Sequence, residues 1–380
     1  MSYGTQASGR TGSPEYRPIS SLSSSSPVTV NGNGEGARHR NGCWELMHEF
    51  YERNFGLFLV FAAQTFGSVM NTAAKLLTAK DSPHPFHALH IIFVRMLATA
   101  IIGMLYMWYK KVPGFPFGPR NMVGLLVMRG LSGFTGLFGL YYSLSYMEIS
   151  DATAITFLIP TWTAILCYVW LREPYRLQEA LSGLISLTGV LLIARPTFLF
   201  GHAAGTTPAV GSAQRTFAVF CSILGTVAAA TAYSTIRVIG TRVPSLISVN
   251  YFAILSTIGS AVIIAVHPDF HFILPQGTEQ WILIILIGLT GFLLQFLLTE
   301  GLQREKGGRA TNMIYFQMVL VLIIERVIWG TTPPLMSLVG SAMIIGAAIW
   351  LSLQKSKPQD KTPAVVDEET SLLREGRSPN

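Results

Sequence analysis

Between residues 55 and 354 the sequence is a series of apolar runs about 20 residues long, separated by short polar stretches. A helix of ~20 apolar residues crosses the ~30 Å hydrocarbon core of a bilayer and satisfies its own backbone while doing so. The runs fall at 56–77, 89–109, 121–145, 150–171, 176–195, 216–238, 246–266, 280–302, 309–330 and 335–353. The expected fold class is therefore an all-α membrane protein with ten transmembrane helices. Composition agrees, because 12% of the residues are charged against about a quarter in soluble domains. The formal charge of +7 is spread over short loops and tails rather than along one exposed element. That distribution points to membrane lipids with anionic headgroups and excludes a nucleic-acid partner.

Residues 1–42 include "SSLSSSSP" and are expected to be a disordered cytosolic tail, since Ser, Gly, Pro and Asn bury too little apolar surface to offset ordering. Residues 43–54, "CWELMHEFYERN", carry Trp44, Met47 and Tyr51 at roughly helical intervals. They read equally as an interfacial helix and as the first turn of span one. No apolar segment precedes residue 55, so targeting is expected to use span one itself. A loop at 197–214 divides 55–196 from 215–354, and 355–380 reads as a second tail. Ten spans leave both ends of the chain on one face. Lys110, Lys111 and Arg120, Arg172 and Arg176, Arg237 and Arg242, and Arg304, Lys306 and Arg309 fall in loops on that face, whereas 146–150 and 267–279 hold no Lys or Arg. The positive-inside rule then puts both tails in the cytosol. In the second tail, "EETSLL" places Glu368, Leu372 and Leu373 as an acidic dileucine signal for a sorting adaptor, which favours a vacuolar or endosomal membrane over the plasma membrane.

The two halves match each other. "GLSGF" at 130–134 is followed 158 residues later by "GLTGF" at 288–292; the same offset takes Gly67 to Gly225 and "DAT" at 151–153 to "RAT" at 309–311. One residue of slip takes Gly183 and Gly189 to Gly340 and Gly346. Each copy holds five spans, an odd number, so the second must enter the membrane upside down. Two inverted five-helix repeats are a recurring construction of secondary transporters. Gly130, Gly133, Gly136 and Gly139 clear one strip of span three so that a neighbouring backbone can approach closely, and Gly183, Gly189, Gly340 and Gly346 read the same way.

The block "RGLSGFTGLFGLYYSLSYMEISDATAITFLIPTWTAILCYVWLREP" at 129–174, with "GLISLTGVLLIARP" at 183–196, resembles the EamA-type drug/metabolite transporters related to solute carrier family 35. In the second half "WGTTPP" stands where "LREP" stands in the first, and no Arg matches Arg129. The resemblance covers about 55–354. It implies a ten-helix bundle that moves small organic solutes by alternating access, through a cavity shared between the halves.

Polar residues inside the spans mark where such a pathway would run, because an ionisable side chain at a helix centre costs about 2.5–3.5 kcal/mol on insertion scales. Gln64, Ser68, Asn71 and Lys75 form one stripe on span one, and Ser222, Thr226 and Tyr233 stand at matching positions of span six. These stripes either line a central pathway or hydrogen-bond to adjacent helices. Gln295 and Gln317 join the set. Arg95 and Arg129 either recognise an anionic group on the solute or hold the bundle together. Glu300 and Glu325 are candidates for carrying a proton, with Glu325 beside Arg326 also readable as an interfacial pair. Pro160 should bend span four. Tyr141, Tyr142, Trp162 and Tyr315 would stack on a planar ligand or serve as packing and interface anchors.

His84, His87 and His90 recur three apart without a Cys or carboxylate cluster beyond Asp81 and Asp269, so no metal site is expected. No clustered acid and base appear at one depth. The expectation is a multi-pass transporter for a small-molecule solute, with no cofactor and no enzymatic activity. Its rivals are a non-transporting scaffold or receptor of the same fold and a membrane-embedded transferase.

Overall fold

A computed structural model describes residues 35–78, 88–147, 149–173, 176–200, 212–266, 275, 277–305, 307–330 and 332–353. The tail readings for 1–34 and 355–380, including Glu368, Leu372 and Leu373, lie outside the described residues, as does 201–211 of the central loop. The chain divides into two units, Met1–Glu49 and Phe50–Asn380. In the first, residues 35–49 are helical; residues 43–54 are helical throughout, as both readings of them require. The second holds ten helices long and apolar enough to cross a membrane: Asn54–Leu77, Leu89–Tyr109, Arg120–Leu144, Ser150–Leu171, Leu177–Ala194, Thr216–Arg242, Ser245–Val266, Thr278–Arg304, Gly307–Trp329 and Leu335–Leu353. No strand occurs among the described residues. Every span starts and ends within a few residues of its expected run.

Inverted duplication is visible where the two copies touch. Span four is two helices, Ile149–Thr156 and Ile159–Leu171, with Pro160 in the first turn of the second. Proline has no N–H to give, so it sits where the helix has no carbonyl waiting for one. Span nine breaks at the equivalent place without a proline: Gly307–Asn312, a 3-10 turn at Met313–Tyr315, then Phe316–Trp329. Phe157 at the first break and Tyr315 at the second are 158 apart in sequence, and their rings stack 5.9 Å apart at 24°. Two copies of one residue can touch only near the axis that relates them, so the broken helices meet at the pseudo-two-fold. Breaks of this kind survive in a membrane only when turned toward protein or a cavity.

Other equivalent positions keep their geometry and change their chemistry. Arg172 ends span four in the left-handed conformation (φ 53°), and Gly330 ends span nine in the same one (φ 65°). "WGTTPP" therefore terminates its helix as "LREP" does. Asp151 and Arg309, the first residues of "DAT" and "RAT", are both buried. Asp151 accepts the backbone N–H and the hydroxyl of Thr197, each at 2.6 Å. Arg309 donates to Glu305 Oε1 at 3.2 Å, Asn54 Oδ1 at 2.9 Å and the Leu351 carbonyl at 3.3 Å. The carboxylate suits the positive end of a helix dipole; the guanidinium at the same place does not, and Glu305 compensates it.

The glycine strip of span three serves two neighbours. Gly130 meets Leu255 and the Tyr251 carbonyl of span seven, while Gly133 faces Phe252 and its own helix's Arg129. Gly136 abuts Ala229 of span six, and a Cβ on Gly139 would lie 2.7 Å from the Cys221 carbonyl and 2.8 Å from Gly225 Cα. Gly189 meets Gly340 across spans five and ten, and Gly183 meets Asn312 of span nine. Gly346 differs: a Cβ there meets nothing within 4 Å, so it is not a point of helix contact.

These contacts set opposite expectations for one substitution. Gly139→Ala forces a methyl against backbone and should lower Tm, with a cost of about 1–3 kcal/mol from overpacking. Gly346→Ala adds a methyl in open space and gains up to about 1 kcal/mol of helix propensity, so Tm should hold or rise. Thermal unfolding of the two purified variants by tryptophan fluorescence checks both signs.

Candidate functional site

Between the halves lies a cavity of about 820 Å³. Its lining runs from Gln64, Arg129 and Gln295 near mid-membrane to Lys75, Thr78, Leu144, Thr153, Glu325 and Trp329 at the ends of spans one, three, four and nine. It therefore opens at the membrane face opposite the one where Asn54 starts span one. Gln64, Asn71 and Lys75 of span one and Ser222, Thr226 and Tyr233 of span six all line it, as do Arg95, Gln317 and Pro160. The two stripes converge on one space from the two repeats.

Ser68 leaves its stripe. It is fully buried and donates to the Gln64 carbonyl at 2.9 Å, with the Gln317 carbonyl at 3.4 Å, so it fastens span one to span nine. Tyr142 points away from the cavity, packing edge-on against Phe217 at 5.8 Å in a ladder with Phe138 and Tyr146. Glu300 pairs with Arg304 one turn along the same helix and does not reach the lining. Glu325 does reach it, but its partner is Lys75 at 2.7 Å rather than Arg326, which donates to the Gly330 carbonyl at 2.8 Å. Lys75 also lies 4.8 Å over the Trp329 ring.

Arg129 is 2% exposed and Arg95 6%. Arg129 holds its guanidinium 4.4 Å over the Phe252 ring and 3.5 Å from Gln295 Oε1. Glycines make the room for both arginines. Gly133 and Gly291, 158 apart, are the second glycines of "GLSGF" and "GLTGF"; a Cβ on Gly133 would strike Arg129 Nη1, and one on Gly291 would lie 2.9 Å from Arg95 Cγ. Sequence reasoning missed Phe252, one aromatic in an apolar span with nothing to mark it. It also missed the use of Gly133, which read as packing alone, and of Gly291, which read only as part of the repeat.

The opposite end is shut by charge. Arg237 Nε donates to Glu173 Oε1 at 2.7 Å and Nη1 to the Gln303 carbonyl at 3.1 Å. Glu173 Oε2 accepts the Gly307 N–H at 3.1 Å, and Gln303 Nε2 reaches the Val243 carbonyl at 3.2 Å. With the Arg309 set, this lattice ties spans one, four, six, eight, nine and ten together. No grouping of three His, Cys, Asp or Glu residues that could hold a metal occurs among the described residues.

The sequence model of the EamA-like transporter family matches residues 54–195 and 216–353, one copy to each half. A probable transport protein of Saccharomyces cerevisiae is 35% identical over 331 residues, 83% of this chain and 93% of its own. Human solute carrier family 35 member G1 is 29% identical over 281 residues, 71% of this chain and 72% of its own. A crystal structure covering 78% of this chain and 96% of its own superposes with a TM-score of 0.65 at 16% identity, a likeness of fold.

The two membrane ends should respond differently to loss of charge. Glu173 and Arg237 are mostly buried (side chains 17% and 10% exposed), whereas the Lys75 side chain is 61% exposed. Removing one partner of a buried pair is costly, and an exposed pair is worth little. Glu173→Gln should lower Tm sharply, and a double-mutant cycle with Arg237→Gln should recover part of the loss. The same cycle on Lys75 and Glu325 should show coupling near zero.

Proposed function

The chain belongs to the EamA-like transporter family, and from that footing we propose that it is a secondary carrier that moves a small polar or amphipathic organic metabolite across a membrane by alternating access. The observation that carries this reading is the ~820 Å³ cavity beside the pseudo-two-fold, open at one membrane face and sealed at the other. Two similar halves related by inversion can exchange their conformations, which opens the sealed face and closes the open one. The solute drives this only as far as its affinities for the two arrangements differ. With the Lys and Arg of the loops read as cytosolic, both tails lie in the cytosol and the open face looks away from it.

The sealed end contains its own reporter. Cys167 is 2% exposed and lies against Ser234 there. In a Cys43→Ser, Cys221→Ser background, an impermeant maleimide applied from the side of the tails should label Cys167 faster while a solute is being carried. Asn71 lines the cavity without belonging to the seal. Asn71→Leu should slow counterflow in liposomes by roughly tenfold, the scale of one lost polar hydrogen bond, at unchanged abundance. Labelling that ignores every counterflowing solute removes alternating access; full flux in the Asn71 variant removes the cavity assignment.

A further inference from the structure

Carrier function leaves open what charge the solute bears, and the cavity's own charges answer it. Arg95 and Arg129 both line the cavity, both are more than nine-tenths buried, and neither Nε has a hydrogen-bond partner. Both guanidiniums lie within electrostatic reach of the same phenol, Tyr233. Among the described residues the one carboxylate on the lining is Glu325, at the mouth, and Lys75 already occupies it at 2.7 Å. Elsewhere this fold does supply partners: Arg237 has Glu173 and Arg309 has Glu305. Among the described residues neither cavity arginine has such a carboxylate; Arg195 Nε also lacks a partner but does not line the cavity.

Resting on the carrier reading, we propose that the solute is a small organic anion of two negative charges, carboxylate or phosphate, seated against Arg95 and Arg129. A guanidinium offers forked N–H donors that match the oxygens of either group. The Ser222 hydroxyl, 2% exposed on the lining and also without a partner, is a further donor for the same group. Phe252 holds the Arg129 plane from one side, so the fork is oriented before the solute arrives.

The test uses probes that differ in charge and hardly in shape: succinate, its half-amide and its diamide, with glycerol 3-phosphate and glycerol as the phosphate arm. The purified full chain should gain Tm with succinate or glycerol 3-phosphate, less with the half-amide, and none with the diamide or glycerol. Which dianion acts distinguishes carboxylate from phosphate. Arg95→Gln or Arg129→Gln should raise the half-saturating concentration by roughly tenfold or more, the scale of a lost charge-assisted hydrogen bond. Each variant, without solute, should keep or exceed the parent's Tm, because it removes a buried charge that has no carboxylate.

A parent-like response to anion in both variants, a fall in their solute-free Tm, or equal protection by the diamide overturns the proposal. Counterflow in liposomes separates the two claims. Exchange of glycerol or of the cation putrescine, with no response to either dianion, keeps the carrier and discards the anion. Dianion protection with no flux of any probe discards the carrier.

Discussion

Hydrocarbon gives apolar helices no reason to prefer one another over lipid, so this bundle depends on how closely backbones can approach. One such approach joins the halves beside the cavity: Gly139 of span three lies on Gly225 and the Cys221 carbonyl of span six, with Gly136 on Ala229 beside it. Applying the 158-residue offset turns the Gly136–Gly225 contact into Leu294–Gly67, and those residues do meet across spans eight and one. One crossing is backbone on backbone and the other is backbone on leucine. The first seam brings spans three and six together beside the cavity, where Arg129 of span three and Ser222 of span six both line it.

Duplication preserved positions more faithfully than side chains. Residue 172 or 330 must end a helix in the left-handed conformation, which glycine does freely and arginine does against a steric cost. Residue 151 or 309 must fasten the start of a broken helix to something at its own membrane end. A carboxylate does so through Thr197 at one end; a guanidinium does so through Glu305, Asn54 and Leu351 at the other. The geometry of the fold asks for a lock at that point, and each end answers with the charge its surroundings can satisfy. Pro160 likewise marks one break, while span nine breaks at Tyr315 with no proline at all.

The ten spans and their inversion were legible because both follow from length and repetition: ~20 apolar residues fill a bilayer, and an odd number of them per copy reverses the second. The lining was legible in part. At about 100° per residue the stripe on span one puts Asn71 and Lys75 about 20° to either side of Gln64, and Ser68 about 40° away. Ser68 is thus the edge of the stripe, and the edge turned to span nine. Periodicity says which residues share a face and nothing about which helix lies opposite. Lys75 with Glu325, 250 residues apart, and Arg237 with Glu173 could be paired only by the fold. The same limit hid the difference between Gly139, pressed on backbone, and Gly346, facing open space.

The two ends of the cavity differ in what opening them requires. At the sealed end Glu173 accepts from Arg237 and from the Gly307 N–H, and Arg309 spans three further elements. Separating spans four, six and nine there strips the mostly buried Glu173 and Arg237 of their partners before water can replace them. At the open end Lys75 and Glu325 have side chains 61% and 28% exposed, against 10% and 17% for Arg237 and Glu173, so breaking that pair costs less. On the carrier reading, the empty protein is therefore expected to rest as it is seen here, open at the face where Lys75 stands.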